Sequence, residues 1–512
     1  MIEINAASLT ISAVEWRALM PLAIVALGAL FTLLIGTFSF SSLGSARKIP
    51  VFASGLAVLI AALAWLVANW QREPLRVLQG MVALDYFSSY CFLILLVSGI
   101  LVLLSGYRYL EEEKIHYSEY YSIFLFAILG MMSLVVTLEL VTLFIALELM
   151  SLAVYVLVGL RRNDRFSNEA AAKYFVMGGV ASAIYLYGVA LVYGALNSTN
   201  LSEIALRLAQ DGVNADANPV FYFGAILLFV GFFFKVAVVP FHMWTPDVYE
   251  GAPSVVTSFM STALKVAAFA AFVRVSSVFF KTVPMTGIAG AAHLVDYLHN
   301  AIWVLALLTM VIGNFVALMQ DNLKRMLAYS AIAHTGYLML GILVGPKVGY
   351  SGMLVYFIPY CVMNIGAFAV ISIFSGAKDE NAKIESLAGI GYRHPFLGAT
   401  MAIFLFSLAG LPPTGGFVGK YFLFSSALEA GEIVLVLLAV VTSLVSVYYY
   451  LRVVIFMYMR EPQAERSELP ISRAGAFSVA AICLCSLLVI FSGVNPAGIV
   501  HMARKAAIAL AL

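Results

Sequence analysis

The chain has 512 residues, of which 63% are hydrophobic and only 11% are charged, and its formal net charge is +2. Soluble globular domains carry about 25% charged residues, so the composition excludes a soluble protein and indicates a polytopic membrane protein. The nearly balanced charge provides no field for nucleic acid binding. The four cysteines lie in apolar runs without a histidine cluster, which argues against a disulfide or metal framework.

Apolar runs predict the elements in chain order. Because a hydrocarbon core of about 30 Å needs about 20 apolar residues per helix, we count fourteen membrane-spanning helices and no soluble domain. The fourth and fifth spans require a tight turn near Leu138-Glu139, and the segment 495–512 is interpreted as an interfacial helix. The predicted spans are 18–40, 51–70, 82–106, 119–137, 139–160, 170–195, 219–240, 255–280, 300–320, 325–345, 352–376, 396–428, 431–459 and 474–493.

The distribution of Lys and Arg predicts the orientation of the chain. If the N-terminus is outside, more of these residues fall in cytoplasmic connections than in outer ones, as the positive-inside rule requires. We therefore expect one transmembrane domain over 1–512, with both termini on the outer side of the membrane.

Ionisable residues within the spans are the main candidates for function. Glu148, Lys235 and Lys265 lie in the middle of their spans, and Lys420 follows a break within the apolar slab. Such groups are normally buried in the bundle, paired and part of a conduction path. A lysine between a desolvating environment and a carboxylate can bind and release a proton near neutral pH. These residues therefore predict a proton pathway.

Four other charged residues permit a structural explanation. Arg452, Arg274 and Glu139 could each snorkel to an interface or reach an adjacent loop. Lys173 lies about a turn inside its span, and could either snorkel or face the interior.

Neutral polar residues add candidates in the tenth and eleventh spans. His334 is as consistent with a satisfied core histidine as with a relay, although its ordinary pKa suits proton exchange. Asn364, Tyr337 and Tyr360 could hold bridging water.

Prolines interrupt two spans. Pro240 lies in the seventh span, and Pro412 and Pro413 lie in a glycine-flanked run in the twelfth. Proline removes a backbone donor, so the freed groups must meet protein or water; the alternative is a simple kink. If spans four to eight (about 119–280) and nine to thirteen (about 300–459) are repeats, both fourth members carry a lysine and a break. Because five is odd, the repeats would be inverted.

Several stretches carry a family resemblance over about residues 80–460. The most specific is the run PFHMWTPDVYEGAP at 240–253, and the others lie at 147–155, 172–175, 325–330 and 412–420. These stretches resemble subunit N of the respiratory NADH:quinone oxidoreductases (complex I), an antiporter-like family. The sister subunits M and L and the Mrp-type antiporters share the Pro-x-His-x-Trp core, but VYEGAP and a lysine at the twelfth-span position favour subunit N.

The resemblance implies a proton-translocating subunit of a translocase, with electron transfer from NADH to quinone in other subunits. It implies no redox centre, cofactor or metal in this chain; flavin and iron–sulfur clusters would belong to partners. It also implies a bacterial inner membrane location beside other complex I membrane subunits, including a neighbouring antiporter-like subunit. The implied pathway is a Glu148–Lys235 pair with Lys173 beside it, continuing through Lys265 and His334 to Lys420.

Two alternatives remain open. The chain could be an Mrp-type or sister antiporter-like cation/proton antiporter subunit that works without redox partners. It could also be a structural membrane scaffold whose lysines are merely paired.

Overall fold

The computed structural model describes residues 12–38, 48–71, 73–210, 219–285, 289–346, 348–375, 379, 382–461 and 475–510. Some of the basic residues on which the predicted orientation depends lie outside these ranges. They are Arg47, Arg72, Lys347, Lys378, Arg466 and Arg473.

Thirteen helices in the described part of the chain are long and apolar enough to cross a membrane. They correspond to thirteen of the fourteen predicted spans, and the remaining span, 396–428, is divided into two helices of 15 residues each. The prediction of an all-α polytopic membrane protein is therefore confirmed. The helices are α1 (Ala13–Phe38), α2 (Lys48–Ala68), α3 (Tyr86–Glu112), α4 (Glu119–Val136), α5 (Leu140–Val158), α6 (Arg165–Leu196), α7 (Leu201–Gln210), α8 (Pro219–Val236), α9 (Trp244–Gly251), α10 (Ser254–Phe259), α11 (Lys265–Met285), α12 (Ala289–Leu318), α13 (Leu323–Val344), α14 (Gly349–Phe374), α15 (Ile390–Arg393), α16 (Pro395–Ala409), α17 (Gly415–Glu429), α18 (Ile433–Met459), α19 (Ala476–Val494) and α20 (Ala497–Leu510).

Smaller elements fill the connections. A π-helical turn, Met260–Leu264, joins α10 to α11 in one continuous span, and a 3₁₀ turn, Ile384–Leu387, precedes α15. An antiparallel hairpin of β1 (Leu75–Val77) and β2 (Val82–Leu84) precedes α3. Sequence reasoning predicted neither the hairpin nor the π turn, because short elements inside or beside apolar runs leave little pattern.

The predicted tight turn between the fourth and fifth spans is confirmed. α4 ends at Val136 and α5 begins at Leu140. The Glu139 carboxylate accepts hydrogen bonds from the backbone N–H groups of Val141 and Thr142, at 3.0 and 2.5 Å. Free N–H groups at a helix start need such acceptors, which explains an acid between two apolar spans.

Two of the three most deeply buried spans carry candidate residues of the proton pathway. The spans Ser254–Val278, Leu323–Val344 and Gly349–Phe374 are enclosed almost completely by other helices. They contain Lys265 and His334. The short helix α20 packs on α3 and α14, and its location at the membrane interface stays a prediction.

Both proline runs lie between helices. α8 ends at Val236 and α9 begins at Trp244, whereas α16 ends at Ala409 and α17 begins at Gly415. The peptide bonds Val239-Pro240 and Pro412-Pro413 are cis.

Matching backbone contacts occur in the two halves of the chain. In each half, residues on both sides of a helix N-cap bond to a segment that follows the next span. Each of these residues in the first half lies the same number of positions before its counterpart in the second half. This correspondence favours the predicted repeats, whose inversion stays a prediction. The bonds are Leu140 N to Thr199 O (2.9 Å), Leu201 N to Leu138 O (2.8 Å), Leu323 N to Ala382 O (2.7 Å) and Ile384 N to Asp321 O (2.9 Å).

Candidate functional site

Side chains from elsewhere in the bundle close the first helix break. The Val236 carbonyl, at the end of α8, accepts a hydrogen bond from Thr335 Oγ1 at 2.8 Å. The Phe234 carbonyl accepts one from Trp244 Nε1 at 3.0 Å. Buried backbone groups without partners are strongly destabilising, so these bonds stabilise the break.

Lys235 lies in the last turn of α8, and its side chain is buried. Its Nζ donates to Ser151 Oγ of α5 at 2.6 Å. It also lies 5.6 Å from the ring centroid of Tyr155 and 5.7 Å from that of Tyr174. Aromatic faces attract an ammonium group. A hydroxyl and two rings therefore hold a cation beside the break.

Glu148 is half-buried on α5, three residues before Ser151. Its carboxylate accepts a hydrogen bond from Ser182 Oγ of α6. Both Glu148 and Lys235 are described, and no ion pair joins them. Ser151 lies on the same face of α5 as Glu148, because residues three apart share a helix face, and its hydroxyl donates to the Leu147 carbonyl. The pair that the resemblance implies is thus not a direct contact in this structure.

Lys265 begins α11, directly after the π-helical turn. Its Nζ donates to the Ala331 carbonyl of α13 and lies 5.9 Å from the ring centroid of Tyr360. Single π turns occur frequently at functional sites. Lys265 therefore reaches the second half of the chain from the end of the first.

His334 lies on α13 between two tyrosine hydroxyls. Its Nδ1 is 2.6 Å from Tyr356 Oη and its Nε2 is 3.2 Å from Tyr450 Oη. Tyr450 Oη also bonds to Ser330 Oγ. Because a hydroxyl can donate or accept, this series suits either neutral tautomer of the imidazole and could relay a proton.

Lys420 is buried on α17 beside the second break. Its Nζ donates to the Ala409 carbonyl at 3.0 Å and to Ser443 Oγ at 2.9 Å, and it lies 5.4 Å from the ring centroid of Tyr337. Ala409 ends α16, and carbonyl groups at a helix C-terminus carry partial negative charge. The break therefore supplies an acceptor suited to a cation.

A left-handed glycine starts the second break. Gly410 has φ +84° and closes the C-terminus of α16 with a bond from its N–H to the Phe406 carbonyl at 3.0 Å. Beyond the prolines, the Gly416 N–H donates to Ser407 Oγ at 3.1 Å. These bonds satisfy part of the backbone that the break frees.

Polar groups of α13 link the first break to Lys265. Thr335 Oγ1 is 2.8 Å from the Val236 carbonyl and 3.1 Å from the Ala331 carbonyl. Val236 adjoins Lys235, and the Ala331 carbonyl is the acceptor of Lys265. One hydroxyl thus bridges the surroundings of two lysines.

Shared aromatic rings link Lys265 to Lys420 through His334. The Tyr360 ring contacts Lys265 and lies 5.7 Å from the His334 ring. The Tyr337 ring lies 5.6 Å from the His334 ring and contacts Lys420. The structure therefore brings Lys235, Lys265, His334 and Lys420 into one continuous group.

Lys173 lies apart from that group. It is 41% exposed on α6 and forms ion pairs with Glu169 and Asp247, each at 2.8 Å. These residues line an open cavity of about 230 Å³ with Glu250 and Arg325. The structure thus places Lys173 at the rim of the bundle.

A buried ion cluster surrounds Asp379 near the start of α13. Its carboxylate accepts hydrogen bonds from Lys324 Nζ at 2.8 Å, Arg161 at 3.0 Å and Ser254 Oγ at 2.9 Å. Burial acts to raise the pKa of Asp379, but the charges of Lys324 and Arg161 hold that pKa well below its usual range. The cluster joins both halves of the chain.

Two of the charges expected to have a structural explanation reach neighbouring segments. Arg452 bonds to Asp321 at 2.6 Å, between α12 and α13. Arg274 is buried and forms two bonds of 3.0 Å to Asp85, which caps α3. Asn364 donates to the backbone carbonyl of Tyr360 at 2.8 Å.

Sequence reasoning missed several groups that contact the buried lysines or His334. Ser151 had a usable signal, because it lies one turn from Glu148 on the same helix. The tyrosines had none, because the sequence contains 26 of them, distributed over many spans. The missed residues are Ser151, Tyr155, Tyr174, Tyr356, Ser443 and Tyr450.

The described residues contain no cluster of three or more His, Cys, Asp or Glu side chains that could hold a metal ion. The four cysteines are free thiols, and three of them are buried: Cys91, Cys361 and Cys485. The groups of the candidate site are instead amines, hydroxyls, an imidazole and a carboxylate, which can bind and pass protons.

Comparisons with known proteins cover the same region. The profile of a family described as "NADH:quinone oxidoreductase/Mrp antiporter, TM" matches residues 137–446. Subunit N of the NADH-quinone oxidoreductase of Trichlorobacter lovleyi is 43% identical over 426 residues, which cover 83% of this chain and 84% of that protein. A chain of respiratory complex I from Thermus thermophilus is 34% identical, with a TM-score of 0.76 and coverage of 94% and 98%. A chain of the Mrp complex from Dietzia sp. DQ12-45-1b, at 21% identity, TM-score 0.78 and 97% coverage of both, is similar in fold alone.

Proposed function

Because this chain belongs to the NADH:quinone oxidoreductase/Mrp antiporter family, we propose that it translocates protons as a membrane-arm subunit of an NADH:quinone oxidoreductase. Its curated relatives at 38–43% identity are named as subunit N of that enzyme. The proposed pathway consists of Glu148, Lys173, Lys235, Lys265, His334 and Lys420.

The continuous group along α13 carries the proposal. Ionisable groups that are buried within a membrane bundle normally mark an ion or proton pathway. The Nζ groups of Lys235, Lys265 and Lys420 bond to hydroxyl and carbonyl oxygens. Neutral acceptors tolerate both the charged and the uncharged lysine, which proton transfer requires.

The first steps take place around the first break. Lys173, at the exposed rim, lies where protons enter from the aqueous side. A proton reaches Lys235, whose charged form is stabilised by the carboxylate of Glu148 on α5 and by the hydroxyl of Ser151. When electron transfer in partner subunits changes the charge or hydration near Glu148, Lys235 releases its proton toward Lys265.

The later steps follow α13. Lys265 passes the proton to His334 and its tyrosine hydroxyls, and Lys420 receives it beside the second break. Water in the non-helical segments would complete the transfers, because the contacts between rings do not themselves carry protons. The Ala409 carbonyl favours the charged Lys420 until the proton leaves for the opposite side.

The surroundings of the chain follow from the same proposal. NADH oxidation, flavin, iron–sulfur clusters and quinone reduction belong to partner subunits, and this chain holds no cofactor. Large apolar side chains on α5, including Ile145 and Leu152, are exposed beside Glu148, and would contact lipid or a neighbouring antiporter-like subunit. We place the chain in a bacterial inner membrane with both termini outside.

Lys235→Met tests the proposal. It removes the ionisable group but keeps an unbranched apolar side chain. We expect the complex to assemble and oxidise NADH, while proton transfer through this chain falls by about 100-fold or more, since a positioned proton donor contributes about 10²–10⁴-fold. The measurement is the number of protons translocated per NADH oxidised by inverted membrane vesicles.

Lys505→Met is the matched control, because Lys505 is exposed on α20. It should leave the ratio unchanged. An unchanged ratio in an assembled Lys235→Met complex would contradict the proposal. Sodium-dependent proton exchange by the chain without redox partners would favour the antiporter alternative instead.

A further inference from the structure

The N-terminal end of the helix α9 contacts the first break. Trp244, its first residue, donates from Nε1 to the Phe234 carbonyl of α8 at 3.0 Å. The Trp244 ring also stacks on Tyr174, with centroids 4.4 Å apart and planes 10° apart. The Tyr174 ring in turn lies 5.7 Å from Lys235 Nζ. A displacement of α9 would therefore move the surroundings of Lys235.

Ion pairs hold α9 to its neighbours through Asp247, in its first turn, and Glu250, near its end. Arg325 of α13 bridges two carboxylates of this helix with one nitrogen, at 2.8 Å from Asp247 Oδ1 and 2.8 Å from Glu250 Oε2. Lys173 of α6 holds the second oxygen of Asp247 at 2.8 Å. The helix α9 is thus held between α6 and α13, on a face that opens into the rim cavity.

The contacts of Arg325 continue into the buried cluster. The side-chain amide of Asn322, which caps α13, donates to Glu250 Oε1 at 3.1 Å. Lys324, adjacent to Arg325, bonds to Asp379 and to the Ala252 carbonyl just beyond α9. Two carboxylates lie between cations along this line, Asp247 between Lys173 and Arg325 and Asp379 between Lys324 and Arg161. The start of α13 is therefore a rigid base from which Arg325 holds α9.

We propose that Arg325 is a positioning residue for Lys235, acting through Asp247, Glu250 and the helix α9. The inference rests on the proposed function. Arg325 touches none of the groups that would carry the proton. It fixes the helix whose Trp244 closes the break and orients the Tyr174 ring over Lys235. The same arginine belongs to the helix of His334, so one rim contact sets the spacing between the two halves of the pathway.

The test uses the assembled complex in inverted membrane vesicles and compares protons translocated per NADH oxidised. Arg325→Gln and Asp247→Asn should assemble and oxidise NADH, but lose as much proton translocation as Lys235→Met. Arg325→Lys should retain most of it, because an ammonium group can bridge the same two carboxylates. A purely structural role would lower assembly and NADH oxidation together, and would leave the number of protons translocated per NADH oxidised unchanged.

Arg452→Gln is the matched control. Arg452 of α18 also bonds to an aspartate, Asp321, in the connection between α12 and α13. It does not contact α9, so its loss should leave the ratio unchanged. If Arg325→Gln fails to assemble, Glu250→Gln decides instead, because it removes one carboxylate and keeps the contacts of Asp247; it should lower the ratio.

The outcomes separate this inference from the proposed function. If Lys235→Met lowers the ratio and the assembled Arg325 or Glu250 variant does not, the positioning role is wrong and the proposed function stands. If Lys235→Met has no effect, the proposed function itself fails.

Discussion

The buried lysines Lys235, Lys265 and Lys420 each bond to neutral oxygen acceptors, but the acceptors differ. Lys235 bonds to a serine hydroxyl, Lys265 to a backbone carbonyl in a continuous helix, and Lys420 to both a carbonyl at a helix end and a serine hydroxyl. Both a carbonyl and a hydroxyl accept hydrogen bonds, but only the hydroxyl can also donate one. Lys235 and Lys420 therefore each have a hydroxyl partner that can turn and donate to an uncharged amine.

Ser151→Ala should lower proton translocation through this chain without preventing assembly. The change removes the hydroxyl partner of Lys235, and a hydrogen bond to a charged group contributes about 1.5–3 kcal/mol. The protons translocated per NADH should fall, whereas Ser478→Ala, which removes a buried hydroxyl bond to the Ser105 carbonyl at 3.0 Å, should not change them. Equal ratios in both variants would show that Ser151 has no part in the transfer.

Asp379→Asn should destabilise the chain, because it leaves the charges of Lys324 and Arg161 buried without their shared partner. Removing one member of a buried ion pair costs about 3–5 kcal/mol. Thermal unfolding of the purified complex would measure the loss. Asp164→Asn is the control, since asparagine caps a helix about as well as aspartate and Asp164 caps α6. Equal unfolding midpoints would contradict the role of the cluster.

The pH dependence of this contribution has a definite sign. The folded-state pKa of Asp379 lies below the unfolded value, because Lys324 and Arg161 outweigh burial. The stabilisation is therefore fully present above the unfolded pKa of about 3.9 and is lost as the pH falls through the folded value. Acid should thus destabilise the unaltered chain more than Asp379→Asn, as unfolding midpoints between neutral and acid pH would show. Parallel curves would be inconsistent with this assignment.

At the scale of elements, the two breaks solve the same problem with different groups. Each begins with a left-handed residue, Ala237 in the first and Gly410 in the second. The side chains of Thr335 and Trp244 close the first break, and that of Ser407 helps to close the second. Both leave a lysine beside non-helical backbone. Such backbone is tolerated at membrane depth only where protein or water satisfies it.

Gly410→Ala should impair proton translocation. A Cβ at this position would lie 2.9 Å from Lys420 Cδ, so the lysine must move, and φ +84° strains any other L-residue by about 1–2 kcal/mol. Gly431→Ala is the matched control, because Gly431 has φ +94° but nothing within 4 Å of the added Cβ. Both variants should lose similar stability, and only Gly410→Ala should lower the protons translocated per NADH. The same ratio in both would mean that Lys420 tolerates the displacement.

Local sequence predicted the elements better than it predicted the site. Apolar length identified the spans, and Pro240 and Pro412 marked the breaks. The spans are apolar on most faces, so periodicity does not show which side of a helix faces which neighbour. The depth of Lys235 was therefore predictable, but its contact with Ser151 was not. Lys173 faces the rim for the same reason: packing, not local pattern, sets the rotation of α6.

At the scale of the whole molecule, close approaches between helices also repeat. Gly130 of α4 lies against the backbone of Met150, and Gly313 of α12 lies against the backbone of Ala333, at the same separation along the chain as the matching hydrogen bonds. A side chain at either glycine would force these helices apart. Equivalent contacts in both halves are expected if they share one packing plan.

The predicted orientation can be tested with single cysteines. Asn163 and Asn197 are exposed at opposite ends of α6, so a membrane-impermeant thiol reagent should label Asn197→Cys from outside and Asn163→Cys only from the cytoplasmic side. Intact cells and inverted vesicles supply the two sides. The background should carry Cys483→Ser, because the other three cysteines are buried. The reverse labelling would place both termini in the cytoplasm.

The π turn before Lys265 changes the direction in which all later side chains of this span point around the helix axis. Each residue of an α-helix advances the side-chain direction by about 100°, so a turn that holds one more residue than usual rotates the rest of the span relative to its beginning. Beyond it, Lys265 faces α13 while Arg274, nine positions later, faces Asp85 at the N-terminus of α3. Before it, Ser254 is tied to Asp379. One span thus reaches three partners on different sides, namely Asp379, α13 and Asp85. It does so because the π turn between Ser254 and Lys265 rotates the later side chains relative to the earlier ones.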